Sequence, residues 1–160
     1  MYIDYEYYTA LYDDLDEAKF FRLVRSAGRI IDSYTATADG VRKLKVAFPT
    51  DPEDAETVKL CTAQLVHMLH QIEQAQEAAA TARGYTETDN GLQGKVVSSI
   101  SAGNESVSFS TSAMQGTFMD KAISDMGEKQ KLLYATVREY LSGVPDNNGV
   151  NLLYTGPYRV

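Results

Sequence analysis

Two histidines, His67 and His70, sit three residues apart, with Glu73 one further turn along and Cys61 two turns back. On a helix this spacing gathers metal-ligating side chains towards one side, so a metal site is the first chemistry to weigh. Zinc needs three or four converging ligands, and the chain holds only these two histidines and this one cysteine. Cys61 also falls on the apolar stripe of its own segment. The histidines therefore read as a helix-surface or subunit-contact pair, and no metal residue is expected. A serine or cysteine nucleophile would need a base and an orienting acid, and no nucleophile-elbow pattern or equivalent is present. The acids Asp13, Asp14, Asp16 and Glu17 cluster where a helix begins, where capping and the helix dipole account for them. Gly91 and Gly94 lack the strand-to-helix setting and the lysine of a phosphate loop. No catalytic or cofactor-binding residue is expected, and the chain does not read as an enzyme.

What could position a site is bounded by size and composition. A chain of 160 residues, 44% hydrophobic and 23% charged, suits one soluble domain with one core. No apolar run approaches the roughly 20 residues of a membrane span. The acidic, aromatic start MYIDYEYYTALYDD is the opposite of a secretory signal, and a lone cysteine cannot form an internal disulfide; both point to the cytoplasm. A net charge of -7 with no basic stripe argues against gripping nucleic acid. There are eleven tyrosines and no tryptophan, and nine tyrosines lie in the first 12 or last 27 residues. Tyrosine joins a large contact area to a polar tip, so the ends of the chain read as contact surfaces.

The periodicity is mainly helical. Asp4 can cap a short helix to about Tyr12, and Asp14 with Glu17 has capping-box spacing for a second, from about Leu15 to Tyr34. The apolar stripe of that second helix is Phe20, Val24, Ala27, Ile31 and Tyr34. Residues 35–50 read as a connection, with room for a helical turn between Val41 and Phe48. Asp51 followed by Pro52 opens a long helix whose apolar face is Val58, Cys61, Leu65, Met68, Leu69, Ile72, Ala75 and Ala79, with Gly84 as its stop. Gly84 to Gly94 reads as polar and flexible. Phe118, Ala122 and Met126 suggest a short helix, and Leu133, Val137, Tyr140 and Leu141 mark a last one over about Glu128 to Ser142.

Between these lies the serine-rich stretch Lys95 to Ser112, in which Val96 pairs in parity with Ile100 and Val107 with Phe109. This two-residue period, broken at Ala102-Gly103-Asn104, reads as a β-hairpin. A lone hairpin is marginal in water, so its apolar side needs cover from the chain's own helices or from another subunit. After the turn Pro145 to Gly149 comes an apolar tail with Leu152, Leu153, Tyr154 and Tyr158. It either folds over its own core or adds to a partner as an extended strand. The expected architecture is a small helical bundle over residues 1–144, with a long central helix, two or three shorter amphipathic helices, an inserted hairpin, and an extended tail over 145–160.

The order of these pieces resembles a known family. YIDYEYYTALY, an Asp-Leu-Asp-Glu-Ala helix start leading to RIIDSYT, the long VKLCTAQLVHMLHQIEQAQ helix, a serine-rich hairpin, and REYLSG followed by LLYTG are similar to the head-tail connector, or adaptor, proteins of tailed bacteriophages. The resemblance covers nearly the whole chain. It differs in the polar stretch Gly143 to Val150 and in the 35–50 connection. It implies a structural virion protein of the neck, assembled in the host cytoplasm as a homo-oligomeric, dodecameric ring beneath the portal protein. Such a ring extends the DNA channel, lets DNA pass without specific binding, and receives the next neck or tail-completion protein. On this resemblance the portal contact falls on Leu152, Leu153, Tyr154 and Tyr158, and contacts with neighbouring subunits or with the next ring of the neck fall on the hairpin residues Val96, Ile100, Val107 and Phe109. A tail-completion or tail-terminator protein, or a non-viral cytoplasmic helical interaction module, are the other two classes the sequence fits.

Overall fold

The structure, a computed structural model, describes residues 1–12, 14–82, 85–88, 91–94 and 125–158. Five helices are present among them: α1 (Tyr5–Thr9), α2 (Glu17–Tyr34), α3 (Lys43–Val46), α4 (Pro52–Ala82) and α5 (Met126–Leu141). The mainly helical expectation holds. None of these helices is long and apolar enough to cross a membrane. The expected hairpin over Lys95–Ser112, with Val96, Ile100, Val107 and Phe109, lies outside the described residues, as does most of the short helix expected near Phe118. A two-stranded ribbon is described earlier in the chain, where β1 (Tyr85–Thr88) pairs antiparallel with β2 (Gly91–Gly94). From the sequence this stretch reads as polar and flexible, and the pairing corrects that. Its Tyr-Thr-Glu-Thr run favours a strand, and Asp89-Asn90-Gly91 is turn chemistry.

Four of the five described helices start where an acidic side chain accepts orphan backbone N–H groups, and α3 follows Arg42 with no side-chain cap. Asp4 accepts from the Tyr7 amide at 2.8 Å, Asp16 from Lys19 at 2.9 Å, Asp51 from Glu53 at 2.9 Å, and Asp125 from Gly127 at 2.7 Å. The cap of α2 is thus Asp16 and not Asp14, because Asp14 is engaged elsewhere, as shown below. Helix α5 ends before Gly143, whose φ of +92° suits glycine and turns the chain out of the helix.

Helix α4 is the spine, about 46 Å long at 1.5 Å per residue. It is buried on more than the expected stripe: Val58, Cys61, Leu65, Met68, Leu69 and Ile72 are joined by Thr62, Ala63, Val66 and His70. Helices α2 and α5 pack along it and touch each other, with Phe20, Val24, Ala27 and Ile31 from one side and Leu133, Val137 and Leu141 from the other. Tyr34 joins the two covering helices by its ring against Tyr134, 5.0 Å between centroids, and by its hydroxyl donating to the Gln130 carbonyl at 3.2 Å. From Glu73 to Ala78 no side chain of α4 is buried.

The remaining side of α4 is covered by the first fifteen residues, which behave as a strap fastened by tyrosine hydroxyls. Tyr7 donates to Glu56 at 2.5 Å and Tyr12 to Gln64 at 2.5 Å, both on α4. Tyr2 donates to the buried Asp32 on α2, and Tyr5 to the Leu15 carbonyl at 2.8 Å. The rings of Tyr5 and Tyr8 each lie 5.4 Å from that of Phe20, within the favourable range for aromatic pairs. The N-terminal tyrosines expected as a surface for partners therefore bind this chain's own helices. An acidic chain supplies many carboxylates, and a phenol is the donor that can reach one while its ring stays in the core.

This strap should be sensitive to alkali. Burial, and then donation to a carboxylate, raise Tyr2, Tyr7 and Tyr8 above the ordinary tyrosine value of 10.0. A raised folded pKa gives stability that is complete below the unfolded value and declines as pH climbs past about 10. Tyrosinate absorbance and far-ultraviolet circular dichroism, followed together, should change in one cooperative step above that pH. Tyrosines that all ionise near pH 10 while the helical signal stays intact would contradict the strap.

Candidate interaction site

The C-terminal segment was expected as an extended arm, and its first residues instead fold into a compact loop. Asp146 starts it: its Oδ1 accepts from the Asn148 and Val150 amides, both at 2.9 Å, while its own amide donates to the Val150 carbonyl at 2.8 Å. Gly149 takes the positive φ, +75°, that the turn requires. Pro145 and Asn151 then face each other as an antiparallel bridge, and the Leu152 amide donates to the Val144 carbonyl at 2.9 Å. Turn-forming polar residues and a leucine that reaches the core account for the fold-back.

The loop is held from below by a buried lysine. Lys43, on α3, has no exposed surface, and its Nζ donates to the carbonyls of Asn151 at 2.7 Å and Tyr154 at 2.6 Å. Burial pushes the ammonium pKa down and the nearby Asp146 carboxylate opposes that fall. A buried ammonium is costly unless its protons are bonded, and here two carbonyls and one nearby carboxylate answer it. Three further contacts join the loop to the 35–50 connection: Ala38 N–H to the Thr155 carbonyl at 2.9 Å, Asn147 N–H to the Ala47 carbonyl at 3.2 Å, and Thr50 Oγ1 to Asn147 Oδ1 at 2.9 Å.

The four tail residues singled out by the sequence are therefore not equivalent. Leu152 is fully buried in this chain's own core and Leu153 packs partly against it. Tyr158 donates to Asp146 Oδ2 and accepts from Asn148 Nδ2 at 2.9 Å. Only Tyr154, 49% exposed, offers its ring to a partner. It lies over Gly156, where a Cβ would collide with the ring, so the Tyr-Thr-Gly sequence sets how the aromatic is presented. The result is one aromatic on a rigidly clamped loop.

The histidine pair fastens the strap to α4. Asp14 is the shared partner: its Oδ1 accepts from the Tyr8 hydroxyl at 2.9 Å, its Oδ2 lies 2.9 Å from His67 Nδ1, and its carbonyl lies 3.1 Å from His70 Nε2. The Tyr12 ring stacks on His67 at 4.2 Å and 10°. The other His67 nitrogen, Nε2, meets Gln71 Nε2 at 2.9 Å. Among the described residues no group of three His, Cys, Asp or Glu could hold a metal ion. Cys61 lies in the core, where burial pushes its thiol up to about 12.

One surface was missed by the sequence reading. Lys19, Arg22, Arg25 and Arg29 recur on α2 at steps of three, three and four, which is helical spacing, and this was the signal for it. Arg22 forms a bidentate pair with Glu73 at 2.8 and 2.7 Å, and Lys19 lies 3.9 Å from Glu77. Arg25 and Arg29 have no ion pair among the described residues. They line a groove of about 530 Å³ between α2, α3 and the N-terminal strap.

Comparison of the chain with protein families, with curated proteins and with solved structures finds no match in any of the three.

The lysine clamp has a direct test. Lys43→Met keeps the side-chain volume and leaves the part-buried carbonyls of Asn151 and Tyr154 without their donor. A loss of about 2–4 kcal/mol in urea unfolding is expected, with faster proteolysis within residues 145–158. Unchanged stability and unchanged proteolysis would show that the ammonium does not hold the loop.

Proposed function

We propose that this chain is a head-tail connector (adaptor) subunit of a tailed bacteriophage, a structural protein of the virion neck. In this reading copies of it form a ring beneath the portal protein, extend the DNA channel and receive the next neck protein. The reading rests on the ordered set of segments that resembles that family. Each described one has a defined place in the fold: YIDYEYYTALY is the strap, RIIDSYT closes α2 at the buried Asp32 and Thr35, VKLCTAQLVHMLHQIEQAQ is the buried part of the spine, and REYLSG ends α5 at Leu141 and Gly143. The observation that carries the reading furthest is at LLYTG. A connector needs a fixed protrusion, and the Lys43 clamp holds this segment rigid while leaving Tyr154 exposed.

In this reading the contact is narrower than the four tail residues of the sequence. Leu152 is part of the chain's own core and cannot reach a partner without unfolding, so the portal-facing role moves to Tyr154, with Leu153 at its edge. Cutting the chain after Val150 would remove core packing together with any contact, so it cannot separate the two.

Electron microscopy of the full chain mixed with the portal protein encoded in the same genome tests this reading, with Tyr154→Ala run beside it. A ring stacked on the portal, lost or greatly thinned in Tyr154→Ala at unchanged helical content, is the expected result. No association of the unaltered chain with the portal would overturn the connector reading, and an intact ring with Tyr154→Ala would overturn the assignment of the contact to the loop.

A further inference from the structure

The charge of this chain is strongly segregated. Residues 19–45 hold seven Lys or Arg against two Asp, a formal +5, so the rest of the chain stands at -12 within the net -7. Part of that positive charge is used inside the fold, by Lys43 under the C-terminal loop and by Lys19 and Arg22 on α4. Arg25 and Arg29 are exposed, one helical turn apart, at the groove whose floor and walls are Met1, Tyr2, Val24, Gly28 and Leu44. Inside the groove Asp32 is already answered by the Tyr2 hydroxyl and by Lys45 Nζ at 3.2 Å. Its carboxylate therefore does not serve the two arginines. Arg42 is exposed and acts electrostatically on Tyr2.

The apolar rim decides what kind of occupant fits. Met1, which lines the groove, is 71% exposed, and Phe21 on α2 and Val46 on α3, the two helices that carry these cations, are 39% and 51% exposed. A small anion would answer the guanidinium groups and leave this apolar surface wet, whereas a protein segment with carboxylates and apolar neighbours covers both. We propose that the groove is where a second copy of this chain docks, its acidic surface meeting Arg25 and Arg29. The acid is plentiful and exposed on that copy, at Asp4, Glu6, Asp16, Glu17, Asp51 and Glu53. A basic patch meeting a different, acidic patch makes a head-to-tail contact, which closes into a ring when the rotation allows. The inference rests on the connector reading for one step: in a ring around DNA the bare guanidinium groups of Arg25 and Arg29 would hold phosphates, and burying them between neighbours leaves the acidic remainder to face the channel.

Sedimentation velocity of the full chain over a concentration series tests the proposal, in about 50 mM and about 500 mM salt, which shortens the screening length several-fold. The unaltered chain should self-associate at low salt and do so at least tenfold more weakly at high salt. R25E/R29E should weaken association at least tenfold, and R25K/R29K should retain most of it. A chain that is monomeric at low salt at every concentration, or association that R25E/R29E leaves unchanged, would overturn the proposal. So would binding of a short DNA duplex that R25E/R29E abolishes, since the groove would then be a phosphate site. The salt series needs no variant and stands even if R25E/R29E fails to fold. Rings on the portal are scored separately: R25E/R29E rings equal to those of the unaltered chain would remove this inference and leave the connector reading, while salt-dependent self-association without portal binding would do the reverse.

Discussion

Everything in this fold answers to the burial of α4. A helix needs only one partner if it has only one apolar stripe, but Thr62, Ala63, Val66 and His70 bury further sides of this one. It must be enclosed, and α2 with α5 cannot enclose it alone. The first fifteen residues supply the missing side, and they do so with aromatic rings whose hydroxyls still find acceptors. Phenylalanine would fill the same volume, yet the part-buried hydrogen bonds to Asp14, Glu56 and Gln64 that tie the strap down would be lost. Tyrosine thus reconciles a strongly acidic chain with a closed core.

The same logic runs at the other end of the chain with the signs reversed. The loop after α5 turns its carbonyls inward, and Lys43 is the donor that satisfies them. Lysine is almost never fully buried unless paired, so its position under the loop marks the spot where the fold most needs a cation. Because Asp146 organises the turn and also lies near that ammonium, the loop is a single polar unit and not a loose tail. A rigid loop with one exposed aromatic can recognise a partner with little ordering cost. In a connector this would let the same segment be finished before assembly begins.

The sequence made the helices legible because period and caps are local. Phe20 to Tyr34, Val58 to Ile72 and Leu133 to Leu141 each carry their own three-and-four spacing, and Asp4, Asp51 and Pro52 announce their starts. What stayed hidden was set by distant contacts. Asp14 looks like a cap by spacing, and only its reach to His67 and Tyr8 shows why Asp16 takes that place. The N-terminal tyrosines look like partner surface until the acceptors of Tyr2 on α2 and of Tyr7 and Tyr12 on α4 are seen. Lys43 sits in an unremarkable Arg-Lys-Leu-Lys run, and nothing local separates the buried lysine from its exposed neighbour Lys45. The cationic stripe of α2 was readable at helical spacing, but it is interleaved with the apolar stripe and masked by the net negative charge.

The central claim is that both ends of the chain are built into the α4 bundle and are not free arms. Amide hydrogen exchange of the isolated chain tests it most directly. The Tyr12 amide, bonded to the Tyr8 carbonyl, and the Leu152 amide, bonded to the Val144 carbonyl, should open together with Leu65 and Val66 of α4, at the free energy of global unfolding. Exchange of Tyr12 and Leu152 at loop rates while the α4 amides remain protected would contradict the account.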